Sequence, residues 1–558
     1  MKDETRLAHG KPISSPGPTD CAVHGVPRET TPHDLKGKTA RGALVSTFAR
    51  ATTFLLRIGS MVVLARLLVP ADFGLVGMVT ACTGFLGLFG DIGLSIVAVQ
   101  RTSISREQNS TLFWINLAVG GTLAAVCAAL APILTNFYHE PRLFWLTVVN
   151  GTGFLLGGAA AQHRAMLQRE MRFTVLAIVD IVSVILGITL SVGMALAGQG
   201  YWALVGMNLG LSVVGAFGVW AFGRWVPGPP RWELGVGSML QYGSVVTLNG
   251  MVTYLACNLD KILLGRFWGA ATLGIYGRAY QLISLPNDNF NSTIALVAVP
   301  ALSRLQNDRE RLRNYFLKGY GLMLSLVMPV TVGCALFAED IILVFLGQKW
   351  SAAVPVFRLL APAILALTLI NPVGWLMLAT GRATRGLKIA LVFTPVVILA
   401  YTIGLRYGAE GVAAGFSIAA ALLVAPVSFW ATRETSITFT DLLKVVMRPF
   451  LSILIAAGIA LIGLGFVQFL AMPLFRLVAV SMVFFGVYAI VLWFGMGQRT
   501  IYLGLLQDLK ILPFTPRRSS ESFQAGEART GKAANFSATS APSRTVQVDS
   551  PVLAKNEQ

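Results

Sequence analysis

The chain has 558 residues, of which 55% are hydrophobic and 13% charged, with a formal net charge of +18 and a mean hydropathy of +0.67. Soluble domains carry about 25% charged residues because their surfaces face water. A chain this long and this poor in charge cannot hide its apolar residues in a soluble core, so the composition implies a membrane protein. The Lys and Arg residues sit mostly in short segments between apolar runs. That is the positive-inside pattern of a membrane protein, and it argues against nucleic-acid binding, so no nucleic-acid partner is expected.

Residues 1–38 are polar and Pro-containing and lack an apolar segment, so they read as a disordered cytoplasmic tail with no signal peptide. About fourteen apolar runs follow, each close to the ~20 residues that cross a bilayer as a helix. The first six lie near 43–67, 73–97, 112–136, 143–161, 174–197 and 201–222. The next six lie near 239–264, 275–300, 318–337, 357–380, 387–405 and 408–431, and the last two near 444–470 and 474–496. The fold expected is an all-α integral membrane protein with an N-terminal six-helix lobe (39–232), a C-terminal six-helix lobe (233–432) and two extra transmembrane helices (433–500). Residues 501–558 read as a second, mostly disordered cytoplasmic tail. Alternate connections hold Arg101 and Arg106, then Arg164, Arg169 and Arg172, and later Arg304, Arg309, Arg311 and Arg313. The opposite connections are roughly half as basic, which orients both termini towards the cytoplasm.

An internal repeat emerges at an offset of 200: Arg66, Gly74 and Gly77 recur as Arg266, Gly274 and Gly277, and Val97-Ala98-Val99 recurs as Val297-Ala298-Val299. Six spans separate the copies, so they share an orientation. Parallel repeats about an axis along the membrane normal belong to two-lobe rocking transporters.

An ionisable group inside a span is costly and therefore a functional candidate. In the first span Ser46, Arg50, Thr53, Arg57 and Ser60 follow a 4-3-4-3 spacing that stacks them on one helix face. Two guanidinium groups two turns apart suit a phosphate-rich headgroup, because the planar donors of Arg bind phosphate oxygens bidentately. In the seventh span Asn249, Thr253 and Asp260 share a face, with Lys261 beside Asp260; ion coupling and an interfacial pair between lobes are equally open readings. The eighth span carries Pro286-Asn287-Asp288-Asn289 and then Asn291 mid-run. Pro breaks the backbone ladder, which predicts an irregular segment lining a cavity. Asp91, Asp180, Asp260 and Asp288 are candidates for ion coupling, though Asp91 and Asp180 lie towards helix ends, where interfacial placement competes.

The five cysteines have no CxxC spacing and the five histidines are scattered, so neither a metal nor a cofactor is expected. Walker A, HExxH and nucleophile-elbow motifs are missing. An enzyme is therefore not expected, and without a nucleotide site the energy must come from ions or the substrate gradient.

Several segments resemble the Wzx-type polysaccharide exporters. They are Leu64-Ala-Arg-Leu-Leu-Val-Pro-Ala-Asp-Phe-Gly-Leu-Val-Gly-Met78, Asn258-Leu-Asp-Lys-Ile-Leu-Leu-Gly-Arg266 with Leu273-Gly-Ile-Tyr276, Pro300-Ala-Leu-Ser-Arg-Leu305, and Leu346-Gly-Gln-Lys-Trp-Ser-Ala-Ala-Val-Pro355. These exporters form the polysaccharide-transport branch of the multidrug/oligosaccharidyl-lipid/polysaccharide superfamily. The resemblance runs from about Lys38 to Met496. It implies two lobes around a cationic cavity, alternating access, and an undecaprenyl-pyrophosphate-linked oligosaccharide as substrate at the bacterial inner membrane. Arg50 and Arg57 would then hold the pyrophosphate, with Ser46, Thr53, Asn249, Asn289 and Asn291 lining the cavity. Lys261, Arg66, Arg266 and Pro286 would be structural or gating residues. Membrane lipids surround such a protein, and a polysaccharide polymerase and a chain-length regulator are the partners implied. Alternatives within the superfamily are a lipid II flippase and a drug or cation antiporter.

Overall fold

The computed structural model describes residues 32–90, 105–223, 225–230, 236–467 and 473–495. Among them every long element is a helix, as an apolar medium requires: with no water to satisfy backbone N–H and C=O groups, a spanning segment must bond to itself. The first group is α1 (Pro32–Leu67), α2 (Pro70–Gly90), α3 (Arg106–Tyr138), α4 (Leu143–Arg169), α5 (Phe173–Leu196) and α6 (Trp202–Phe222). The second is α7 (Val236–Arg304), α8 (Arg309–Leu336), the short α9 (Ala338–Phe345), α10 (Ala353–Ala379), α11 (Ala383–Gly404) and α12 (Gly408–Thr432). Then come α13 (Phe439–Val467) and α14 (Pro473–Ile490). In the first group α3 packs on α4, α5 on α6 and α1 along α5; in the second α10 packs on α12, α7 and α8, and α11 on α12. The broadest contact between the groups is α2 against α7.

Eleven segments among the described residues are long and apolar enough to cross a membrane. The figure differs from the fourteen runs expected partly because α11 and α12 form one run, 384–432, and because α7 is not among the eleven. That helix continues from the seventh expected span into the eighth, and it turns at Gly269, whose φ of 78° lies in the left-handed region. The irregular backbone expected around Pro286 is not found: α7 stays helical there, and Gly269 is its one non-helical residue. The Asn289 side chain donates to the Leu285 carbonyl at 2.7 Å. This bonds the proline-disturbed turn locally, so the helix bends without unwinding.

Helix ends are set by sequence. Ser105 opens α3 with a capping box to Gln108, and Asp308 caps α8 by accepting from the Arg311 N–H. In the turns outside the spans, Arg142 bonds Glu140 at 2.7 Å and holds its carboxyl below the usual range. Arg385 does the same to Glu434.

The last two helices are fastened to the second lobe near both ends. Arg313 on α8 pairs with Asp441 on α13 at 2.6 Å, and Arg476 on α14 donates to the buried Asp340 of α9, its Nε lying 2.8 Å from Oδ1. Replacing Arg476 with Ala strands a buried carboxylate. The expected loss is about 2 kcal/mol, below the usual cost of breaking a buried pair because the guanidinium is a quarter exposed. Thermal unfolding in detergent should show it as a lower midpoint, and Asp340→Asn, which leaves no stranded charge, should cost less.

Candidate functional site

The repeat has a direct structural counterpart. A Cβ at Gly74 would run into the Ala270 carbonyl, and a Cβ at Gly274 into the Pro70 carbonyl. The two contacts are one contact shifted by 200 residues in each partner, as a two-fold relation between the halves demands. Glycine at both positions lets the start of α2 and the second arm of α7 touch backbone to backbone, closing the bundle on that side.

Beneath this closure lies a cavity of about 450 Å³ between α2, α6 and the two arms of α7. Further along, the Tyr254 hydroxyl donates towards the Thr80 and Ala81 carbonyls at 3.1 Å, joining the lobes again at the cavity's opposite end. The polar lining comprises Lys261, Arg278, Asn258, Gln281, Asn208, Thr80 and Tyr254, with no acidic side chain among the lining residues. The Lys261 ammonium is held by the Asn258 side-chain oxygen at 2.8 Å and lies 5.0 Å from the Tyr280 ring centre. The Arg278 guanidinium sits 4.0 Å above the Phe73 ring and donates to Gln281. Two cations without a lining carboxylate, in surroundings of low dielectric, attract an anion far more strongly than exposed cations do. Five donors in a fixed fork on Arg278 and a point charge on Lys261 suit phosphate oxygens.

Asp260 is buried behind the cavity, where Tyr276 donates to it at 2.7 Å and the Lys261 backbone N–H at 2.8 Å. Its neighbour's ammonium is bonded elsewhere, so Asp260 and Lys261 face different ways. Sequence spacing explains this: 254, 258 and 261 lie on one face of α7, while 253 and 260 lie about 100° round the helix from it. Asp288 is exposed at its own turn, where Asn287 donates to it at 3.2 Å, and Asn287 in turn accepts from Thr368 at 3.0 Å. Asn289 is exposed and spent on the Leu285 carbonyl, and Asn291 is part-buried with its side-chain oxygen unbonded. Asp180 is engaged by Arg164 at 2.7 Å, and both are well over a third exposed.

Arg50 and Arg57 are exposed on α1, are not among the lining residues of the closed cavity, and have no carboxylate partner among the described residues. The Thr53 hydroxyl donates to the Ala49 carbonyl, the Ser60 hydroxyl to the Arg57 carbonyl, and Ser46 is part-buried. Arg66 donates to the Val344 carbonyl of α9 at 2.7 Å, and Arg266 lies over the Phe137 ring at 5.6 Å. Each repeat arginine thus reaches into the other lobe. Asp91 lies outside the described residues, as does the side chain of Asn249. Among the described residues, no group of His, Cys, Asp and Glu is arranged to hold a metal.

The sequence reading passed over Arg278. Its signal was present, an arginine three residues inside the eighth expected span, but the Asn-rich stretch nearby drew attention first. Asn258, Tyr254 and Gln281 had no signal as site residues, since only the apposition of α2 and α7 makes them a lining.

Residues 63–355, more than half of the chain, match the family model described as polysaccharide biosynthesis protein. The chain belongs to this family. It is 29% identical to the lipopolysaccharide biosynthesis protein WzxC of Escherichia coli over 68% of this chain and 78% of that one. It is 30% identical to the teichuronic acid biosynthesis protein TuaB of Bacillus subtilis, over 54% of this chain and 63% of that one. With the succinoglycan biosynthesis transport protein ExoT of Rhizobium meliloti it shares 26% identity over 57% and 64% of the two chains. In fold it is similar to the lipid II flippase MurJ in an inward closed conformation, with a TM-score of 0.65 at 14% identity, covering 84% of this chain and 99% of that one. An inward-facing multidrug transporter of the same superfamily gives a TM-score of 0.56 at 15% identity, over 70% and 96%. The family member described here is a multi-pass membrane transporter of polysaccharide biosynthesis.

Proposed function

We propose that the chain is a flippase that carries undecaprenyl-pyrophosphate-linked oligosaccharide across the bacterial inner membrane by alternating access. The observation that carries this reading is the cavity between the repeats, cationic and without a lining acid. Lys261 and Arg278 cradle the pyrophosphate, and the amides of Asn258, Gln281 and Asn208 meet the first sugar. The exposed Arg50 and Arg57 stand along the route the headgroup takes into the cavity, with the isoprenoid tail left in the bilayer. Both termini are cytoplasmic, so the closure at Gly74 and Gly274 is the periplasmic gate, and the N-terminal and C-terminal lobes, 39–232 and 233–432, rock about it. A polymerase and a chain-length regulator receive the flipped unit for exopolysaccharide, capsule or O-antigen assembly.

The test is a deletion strain in which surface polymer and lipid-linked intermediates are both measured. Lost polymer with accumulated full-length lipid-linked units is the expected result. Lost polymer without accumulation would move the step to synthesis of the unit. On the same strain, a plasmid copy carrying Arg50→Ala with Arg57→Ala should reach the membrane yet restore little polymer; full restoration would remove these arginines from the route.

A further inference from the structure

The Leu346–Pro355 motif has no part in the cavity, yet it holds the most deeply buried large side chain of the fold. Trp350 is 0% exposed, sits in a short 3-10 turn (Gln348–Trp350) after α9, and donates from Nε1 to the Ala65 carbonyl at 2.9 Å. That carbonyl lies in the last turn of α1, in the opposite lobe. Lys349 adds a contact to the Arg66 carbonyl at 3.3 Å. Trp350 also meets the edge of Phe73, with ring centres 5.3 Å apart and planes at 66°. Phe73 lies one residue before Gly74 in the closure, and its face carries the Arg278 guanidinium at 4.0 Å.

We propose that Phe73 and Trp350 form a relay that couples the position of Arg278 to the closure at Gly74 and Gly274. One ring cannot be optimally placed for the cation, for Trp350 and for the backbone contact beside it unless all three are set together. With Arg278 over its face, Phe73 is pinned between the cation and Trp350, and the start of α2 is held against α7. An anion that draws the guanidinium towards the cavity centre removes one side of this clamp. Phe73 is then free to leave Trp350, and the hydrogen bond from Trp350 to the end of α1 is the contact left to break. Substrate binding thereby loosens the gate ahead of it, which is the order alternating access needs. The inference rests on the cavity being the substrate site, and it identifies Trp350 and Phe73 as positioning residues that touch no substrate.

The test needs no substrate, so its outcome is independent of the flippase assay above. In the full chain with its native cysteines changed to alanine, Gly77→Cys places a thiol in the cavity lining, where a Cβ makes only ordinary contact with Leu273. An impermeant thiol reagent is applied to spheroplasts and to inverted vesicles, with Gly193→Cys as a control site that meets nothing within 4 Å. Phe73→Leu, Trp350→Phe and Arg278→Gln should each raise Gly77→Cys labelling from the gate side by on the order of tenfold, the scale of losing a desolvated cation–ring contact or a buried hydrogen bond. Pairs of these changes should label no faster than the faster single change, because one relay is broken once. Phe73→Tyr, which keeps the ring face, should label at the unsubstituted rate, and the control site should not change in any variant. Single variants at the unsubstituted rate, effects that multiply in pairs, or a Phe73→Tyr as leaky as Phe73→Leu would each overturn the relay.

Discussion

Glutamine in place of both Lys261 and Arg278 should abolish polymer export while the protein accumulates in the membrane at its normal level. Each cation offers an anion charge-assisted hydrogen bonds worth about 1.5–3 kcal/mol, so losing both weakens binding on the order of a hundredfold or more. Stability should move the other way or not at all. Neither cation faces a lining acid, and relieving two partly desolvated charges removes a cost rather than a contact. The measurement is therefore paired: export in the deletion strain beside thermal unfolding of the purified protein. A transport-dead variant that unfolds no earlier than the parent supports a binding role. Normal export from the double variant would remove the cavity from the transport path, and a large fall in unfolding temperature would recast the two cations as structural.

The second large effect is expected at the closure. Gly74→Val should leave the protein in the membrane and stop transport, because the added side chain meets the Ala270 backbone carbonyl, which cannot rotate aside as a side chain would. Overpacking of this kind costs about 1–3 kcal/mol. Since the contact lies between the halves, the cost falls on the closed state and shifts the equilibrium towards the open one by roughly five- to a hundredfold. Gly274→Val should do the same through the Pro70 carbonyl. The reciprocal geometry thus predicts two matching phenotypes from residues 200 positions apart. Cavity labelling should rise from the gate side in both, and transport from either at the parent rate would show that the closure opens by another route.

Membrane character, the two-lobe plan and the transporter class were legible in the chain because they follow from quantities that sum over many residues. Hydropathy over a run, the spacing of Lys and Arg, and a 200-residue repeat survive errors at single positions. The matches around Leu64–Met78 and Asn258–Arg266 pointed to the family for the same reason. Finer features failed where a local rule met a tertiary one. Pro286 signalled a broken helix, but the Asn289 side chain bonds the disturbed turn and the helix runs on. Asp260 and Lys261 are adjacent in sequence, yet a helix turns about 100° per residue. One therefore enters the cavity and the other is buried against Tyr276.

The sequence by itself determined that this chain crosses a membrane many times as two similar halves, because apolar length and repetition are properties of a single strand of text. Which cations share a cavity was decided only by the tertiary structure. Lys261 and Arg278 lie on opposite arms of α7, and only the turn at Gly269, with the apposition of α2 against both arms, brings them to one lining. The role of Trp350 likewise depends on a contact with Ala65 across 285 residues. No local periodicity encodes such a contact, because it exists only once the two lobes have closed.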